Sequence, residues 1–316
     1  GDHEADALRA RYPEHADRIV ASGSPRVDLW RPELAGVHAR HALPVPPERP
    51  VVLFPSNHSA VLDVNPFWIR IRDKRDRFEG PDDPFEFDRY GHTAEKLRSL
   101  GAMVRAVRRV AATHPEALVV VRPHPIEIDG AWEDLLGPVD GVLITRTASL
   151  QAWVRRAAVV VQNECTSGYE AAVAGVPVVS FHDGGVFADH PVNAVGRRAS
   201  DLDAAAGLVD LALSGGTEGW MPAEGGAVLS RRLAALDGPL AADRTVDRWE
   251  ALDAAPTTPL RPAAIASARR RVLLRSGARH RAATALHRLR GGAPERPELA
   301  VAHKRPPTPQ AELAVQ

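Results

Sequence analysis

Two polar clusters hold most of the chemistry legible in this 316-residue chain: Arg122-Pro123-His124-Pro125 and Asn163-Glu164-Cys165-Thr166-Ser167-Gly168. Each follows a short run of β-branched residues. A histidine leaving a strand can donate to a phosphate oxygen and, when protonated, neutralise charge developing on a leaving phosphate. A loop histidine bonded only to nearby backbone is the competing reading; the second cluster favours the functional one. In that cluster Thr166 or Ser167 can cap a helix beginning near Tyr169, whose free N–H groups suit a phosphate.

Glu170 admits two readings of equal weight. It lies three residues after Ser167 and four after Thr166, so a capping box would use it structurally and a ribose hydroxyl functionally. Asn163 reads mainly as a loop-fixing residue, with ligand contact the lesser alternative. Cys165 reads as a small packed residue, since no base partner for a nucleophile is evident. The segment Pro55-Ser56-Asn57-His58-Ser59 follows another apolar run. Ser56 and Asn57 could donate to a phosphate, although a Ser/Asn cluster alone reads more simply as a turn. Arg122, and Arg146 beside Thr147 and Ser149, are the cations next to these loops; an exposed Arg is otherwise only solvated.

The elements that must position these residues alternate at short spacing. Buried strands are expected at 51–54, 118–121, 142–144, 159–161 and 178–181, each a short apolar, β-branched run. Between them the pattern predicts an amphipathic helix from Thr93 to Thr113, striped by Leu97, Leu100, Met103, Val104, Val107 and Val110. Shorter helices are expected at Trp132–Leu136 and at Ser149–Ala157, the latter capped by Thr147 or Ser149. A helix over Asp201–Leu213 and one or two more before Trp249 complete the pattern. Ahead of the first strand stand a helix from Glu4 to Tyr12, a short strand Arg18–Ala21 and a proline-rich connector, 43–50. The charged stretch from Arg70 to Tyr90 reads as an irregular excursion.

Such alternation is the signature of an α/β, doubly wound parallel sheet, whose carboxyl edge binds ligands. Every cluster named above falls on that edge. The chain divides into 1–49, the end of a preceding domain and a linker; 50–254, the Rossmann-like domain; and 255–316, a basic helix followed by a Pro-rich stretch expected to be disordered.

Composition narrows the chemistry further. One cysteine excludes an internal disulfide framework and fits a reducing cytoplasm. The formal charge of zero conceals a division: from Ala255 onward twelve Arg and Lys face three Glu, so the body is acidic and the tail basic. The tail has no interleaved aromatics, which argues against nucleic acid as a partner; a basic helix could instead lie on an anionic membrane surface or pack on the body. No HExxH, Cys pair, GxSxG elbow, Walker loop or GxGxxG occurs. Zinc hydrolases, standard serine esterases, P-loop enzymes and standard dinucleotide enzymes are thereby disfavoured. Phosphate chemistry here would use positive groups and helix dipoles, with no metal.

Taken together, RPHP (122–125) and NECTSGYEAAVAGVPVVSF (163–181) resemble the C-terminal, nucleotide-binding half of GT-B glycosyltransferases, most closely bacterial surface-carbohydrate biosynthesis proteins. SGSPRVDLWRPEL (22–34) is similar to that family's GNPRxDLL segment, with Ser24 in place of Asn, and LFPSNHSAV (53–61) to its first C-domain strand and loop. The resemblance covers about Ala21 to Phe181, more weakly to Trp249, and leaves the tail uncovered.

It implies a nucleotide-sugar-dependent glycosyltransferase of surface polysaccharide assembly, with His124, Thr166, Ser167, Gly168 and Glu170 contacting the donor and His124 serving its leaving phosphate. The implied partners are a nucleotide-sugar donor, with CMP-linked keto-sugars favoured, and a glycan or lipid-linked acceptor. The implied location is cytoplasmic, with the tail touching the inner face of the membrane. A nucleotide-sugar 2-epimerase, a polyol-phosphate transferase and a catalytically silent binding module share the resemblance. GT-B enzymes also need an N-terminal Rossmann-like domain for the acceptor, and only its last helix and strand are legible before Val51. The chain therefore reads as a truncated enzyme, a fragment or a stand-alone donor domain.

Overall fold

The computed structural model describes residues 1–37, 43–63, 89–184, 188–216 and 219–252. Its centre is a parallel sheet of β1 (Val51–Pro55), β2 (Leu118–Arg122), β3 (Val142–Ile144), β4 (Val159–Gln162), β5 (Val178–Phe181) and β6 (Arg197–Ala199), in the order β3-β2-β1-β4-β5-β6. Every pairing is parallel, with Leu53 opposite Val120 on one side and Val160 on the other. β-branched runs suit the inner strands, since the middle of a parallel sheet is covered on both faces.

Alternation along β1 divides the core. Val52 and Phe54, with Val119 and Val121, pack against Leu100, Met103, Val107 and Val110 of a long helix, Arg89–Thr113. On the other face Val51 and Leu53, with Val120 and Val160, meet Trp153, Val154, Ala171 and Trp30. The predicted stripe of the long helix is the one that is buried, except that Leu97 is exposed and Val104 half-buried. The remaining crossover helices are Ala131–Leu136, Leu150–Arg156 and Ser167–Val173, and the helix Leu202–Leu213 follows the last strand. Ser149 Oγ, not Thr147, caps the Leu150 helix by accepting from Ala152 N, and Asp201 caps the Leu202 helix in the same way.

Two local expectations change. Arg18–Ala21 is not a strand: Pro13–Arg18 is a 3-10 turn, and beyond it Ile19 is extended without joining the sheet. Val20 there is 47% exposed, so the apolar run had no neighbour to pair with or pack on. Conversely β6 was not foreseen, because two of its three residues are arginines; backbone pairing to β5, not side-chain burial, makes it a strand.

Residues Gly1–Trp249 form one compact unit and Glu250–Gln316 a second. The segment before β1 belongs to the first. Asp28 accepts from Ala241 N and Ala242 N, both at 2.9 Å, at the start of the helix Ala241–Leu252, and Arg31 donates to the carbonyls of Ala235 and Gly238. The excursion from Arg70 lies outside the described residues up to Arg89, where the long helix begins, and so does the basic tail from Ala255. Among the described residues no helix is long and apolar enough to cross a membrane.

Candidate functional site

The strand order reverses between β1 and β4, so the chain departs from these neighbours toward opposite edges and leaves a crevice at their carboxyl ends. The β1 loop, Ser56–His58, and the β4 loop, Asn163–Ser167, meet there. Asn57 Nδ2 donates to the Glu164 carbonyl at 3.0 Å. Lys96, from the long helix, donates to Glu164 Oε2 at 3.0 Å and to the Asn57 carbonyl at 3.4 Å. Burial pushes the Glu164 carboxyl above its usual range, against the pull of Lys96. Glu164 also has a φ of 49°, left-handed and unusual for a residue other than glycine.

Beneath this meeting point runs a buried chain of hydrogen bonds whose direction follows from its ends. The Glu127 carboxylate accepts from Ser56 Oγ at 2.6 Å, so the Ser56 oxygen is left to accept from His58 Nδ1 at 3.3 Å. His58 Nε2 then accepts from Ser99 Oγ at 3.2 Å, and Ser99 accepts from Asn163 Nδ2 at 2.9 Å. This order requires a neutral imidazole. Burial, with Lys96 nearby, lowers the His58 pKa to about 3, in agreement. One polar thread thus ties the β4 loop to the loop after β2.

Glu127 is the anchor of that second loop. Besides Ser56 it accepts from His58 N at 3.0 Å, His124 N at 3.1 Å and Trp132 Nε1 at 3.0 Å. His124 is half-buried, and its Nδ1 accepts from Ile126 N at 3.4 Å. A neutral His124 therefore carries its proton on Nε2, where it can donate to a ligand. Arg122 is not brought to this pair of loops. Its guanidinium donates to the carbonyls of Thr147 and Ala148, fixing the loop after β3, and burial beside Arg146 lowers its pKa. Arg146 in turn holds the Glu127 carbonyl and pairs with Asp129.

At the head of the helix Ser167–Val173 the expected cap is absent. The helix starts two residues before Tyr169, Thr166 already has helical angles (φ −57°, ψ −18°), and its exposed hydroxyl makes no capping bond. Ser167 Oγ is buried without a hydrogen-bond partner, and the Cys165 thiol, pushed up by burial, is its weak neighbour. Asn163 Oδ1 is buried and unpartnered as well. Glu170 forms no capping box. Its Oε1 accepts from Arg26 at 2.7 Å while its Oε2 is buried and unpartnered, and burial raises its pKa against the pull of Arg26.

Gly168 serves packing. A Cβ there would lie 3.1 Å from Val192 Cγ2 and 3.2 Å from Gln162 Cδ. Gln162 is fully buried, donates to Ser180 and Asn193, and accepts from Cys165 N. Asn193 also accepts from Glu164 N at 3.1 Å, so the β4 loop is held from below on both sides of Asn163.

Sequence reasoning thus found Ser56, Asn57, His124, Asn163, Thr166, Ser167, Gly168 and Glu170 on one edge of the sheet. It missed Lys96, Glu127, His58, Ser99 and Asn193. Lys96 had a signal, as one of three lysines in a chain rich in arginine. Glu127 had none beyond standing between Ile126 and Ile128. Among the described residues no group of three or more His, Cys, Asp or Glu side chains could hold a metal ion.

No protein-family model matches the sequence, and no curated protein matches it. Among solved structures it is similar to one described as a UDP-N-acetylglucosamine 2-epimerase from Listeria monocytogenes, with TM-score 0.46 and 11% identity over 79% of this chain and 56% of that one. It is similar also to the wall teichoic acid polymerase TagF, with TM-score 0.45 and 13% identity over 78% and 56% of the two chains. A third is UDP-GlcNAc 2-epimerase from Neisseria meningitidis bound to UDP-GlcNAc, with TM-score 0.39 and 12% identity over 75% and 56%. The chain spans little more than half the length of each.

Proposed function

We propose that the crevice between β1 and β4 binds the phosphates of a nucleotide-sugar, and that the chain is the donor-binding half of a GT-B-type glycosyltransferase of surface polysaccharide assembly. One observation supports this above the rest: Ser167 Oγ is buried at the head of a helix on the carboxyl edge of the sheet, where the strand order reverses, and among the described residues the weakly accepting Cys165 thiol is the one group it meets. Burying a hydroxyl without a full partner costs up to roughly 1–3 kcal/mol, a cost that a phosphate oxygen removes.

The roles follow from the bonds on the page. Ser167 and the exposed Thr166 hydroxyl donate to phosphate, and His124 Nε2 donates to the phosphate that leaves with the nucleotide. Glu170 Oε2 accepts from a ribose hydroxyl while Arg26 holds its other oxygen. Ser56 and Asn57 position the loops, and Gly168 lets the helix approach Gln162 and Val192. The leaving nucleotide is a pyrimidine nucleotide, CDP or UDP where the donor carries a diphosphate and CMP where it carries one phosphate; the acceptor is a glycan or lipid-linked glycan, and the basic tail meets the inner membrane face.

Binding without turnover is the second reading, and a specific observation favours it. The three carboxylates nearest the crevice are all engaged: Glu127 with its four donors, Glu164 with Lys96 and Glu170 with Arg26. Among the described residues none of these three is free of a bound cation or donor, and in this reading the acceptor is activated by a group from elsewhere.

Calorimetric titration with CMP, CDP and UDP tests the site. Binding of at least one is expected, weakened about tenfold or more by His124→Ala, the scale of one charge-assisted hydrogen bond. No binding refutes the donor site, and full binding by the variant refutes the role of His124. Product analysis with the bound nucleotide's sugar then separates transfer, epimerisation and silence.

A further inference from the structure

The floor of the crevice holds a charge pair that the fold does not require. Lys96 and Glu164 are 3.0 Å apart, with side chains only 7% and 6% exposed. Such pairs lose several kcal/mol per ion in desolvation and are often replaceable by apolar residues without loss. This pair also comes with strained backbone: Glu164 occupies a left-handed conformation, φ 49°, that a residue with a Cβ rarely adopts. Stability alone gives no reason for both features.

Position gives one. Lys96 Nζ bonds residues of both loops, Asn57 and Glu164, at the place where a phosphate between β1 and β4 would lie. The charged and titratable groups around Glu164 are Lys96 and Glu95 of the long helix, Lys96 attracting and Glu95 repelling. His58, and His190 beyond β5, also feel Lys96, and burial favours the neutral form of each. Lys96 is therefore a buried positive charge that bonds both loops, and Glu164 is its counter-ion.

We propose that Lys96 is the cation that takes the diphosphate of the donor, and that Glu164 is the carboxylate with which the diphosphate competes. The inference rests on the nucleotide-binding reading above and deepens it by naming the charge that selects phosphate. A diphosphate offers more charge and more acceptor oxygens than one carboxylate, so exchange leaves the buried ammonium paired. Burial has already pushed the Glu164 carboxyl up, so its charge is held less tightly than that of an exposed carboxylate.

The test compares a nucleoside with its diphosphate: cytidine with CDP, and uridine with UDP, by calorimetry on the full chain. Lys96→Met alone would strand a buried carboxylate, so the informative variant is Lys96→Met combined with Glu164→Gln. Its nucleoside affinity is expected to equal that of the unaltered protein, while its diphosphate affinity falls about 10- to 100-fold. Glu164→Gln alone keeps a neutral acceptor on Lys96 and is expected to bind the diphosphate more tightly, by about tenfold.

A double variant that keeps the full preference for diphosphate over nucleoside would make the pair a structural clip and overturn the proposal. Weaker diphosphate binding by Glu164→Gln would also overturn it, by making Glu164 a ligand contact. If the unaltered protein binds neither CDP nor UDP, the nucleotide reading falls first and the proposal with it.

Discussion

The two loops that face each other across the carboxyl edge are built on opposite plans. After β2, Glu127 meets four donors, Arg146 holds the Glu127 carbonyl, and His124 Nε2 is the donor left over. After β4, Glu164 is left-handed and ion-paired, Asn163 Oδ1 and Ser167 Oγ lack partners, and Thr166 makes no cap. One loop has its hydrogen-bonding capacity closed and the other has it open. Buried polar groups are normally satisfied, so the open loop is where a ligand gains most and the closed loop is what fixes the distance to His124.

Four substitutions or conditions would break this contrast, ordered here by expected size. Glu127→Ala should be the most damaging, by about 3–5 kcal/mol, because it strands three buried donors and one half-buried donor at once. Urea unfolding measures it, and a loss below about 1 kcal/mol would mean that the closed loop is not held by Glu127.

The second effect is set by pH. His58 has a folded pKa of about 3 against an ordinary 6.5, so it is neutral inside and protonates only on unfolding. Its contribution to stability is complete above about pH 6.5 and is lost as pH falls below that value, at about 1.4 kcal/mol per unit. The difference in unfolding free energy between the unaltered protein and His58→Asn, followed from pH 7 to pH 5, isolates this slope from other groups. A flat difference would remove the neutral histidine from the thread between the loops.

Gly168→Ala comes third, at about 1 kcal/mol of destabilisation, because a methyl there crowds Val192 and Gln162. Thermal melting is sufficient to detect it. A gain in stability would show that the space is not needed for packing. Smallest in stability is Ser167→Ala, expected within about 0.5 kcal/mol of zero since only a weak contact with the Cys165 thiol is lost, with a loss of about tenfold in nucleotide affinity. A substantial loss of stability would mean that the hydroxyl has a structural partner and that the loop is not open.

These contrasts also explain what could be read in advance. Five of the six strands were legible because burial on both faces demands unbroken β-branched runs, as in Val51-Val52-Leu53 and Val159-Val160-Val161. β6 was hidden because Arg197 and Arg198 meet no such demand. At the candidate site, residues proposed to act from their own loop, such as Ser167 and His124, stand in the sequence as local clusters. Residues that act across the sheet were not: Lys96 and Glu164 lie 68 positions apart, and Ser56 and Glu127 lie 71 apart. Their meeting is decided by the strand order, which periodicity does not encode. Glu170 failed as a capping residue for the same reason, since Arg26, 144 positions away, competes for its oxygen.

The central claim is that the open loop at the junction of β1 and β4 is where phosphate binds, and a crystal structure of the full chain soaked with CDP or UDP tests it most directly. The account predicts phosphate oxygens within hydrogen-bonding distance of Ser167 Oγ and Lys96 Nζ, with His124 Nε2 facing the phosphate from across the crevice. A nucleotide seated elsewhere, with the Lys96–Glu164 pair undisturbed and Ser167 out of reach, would contradict it.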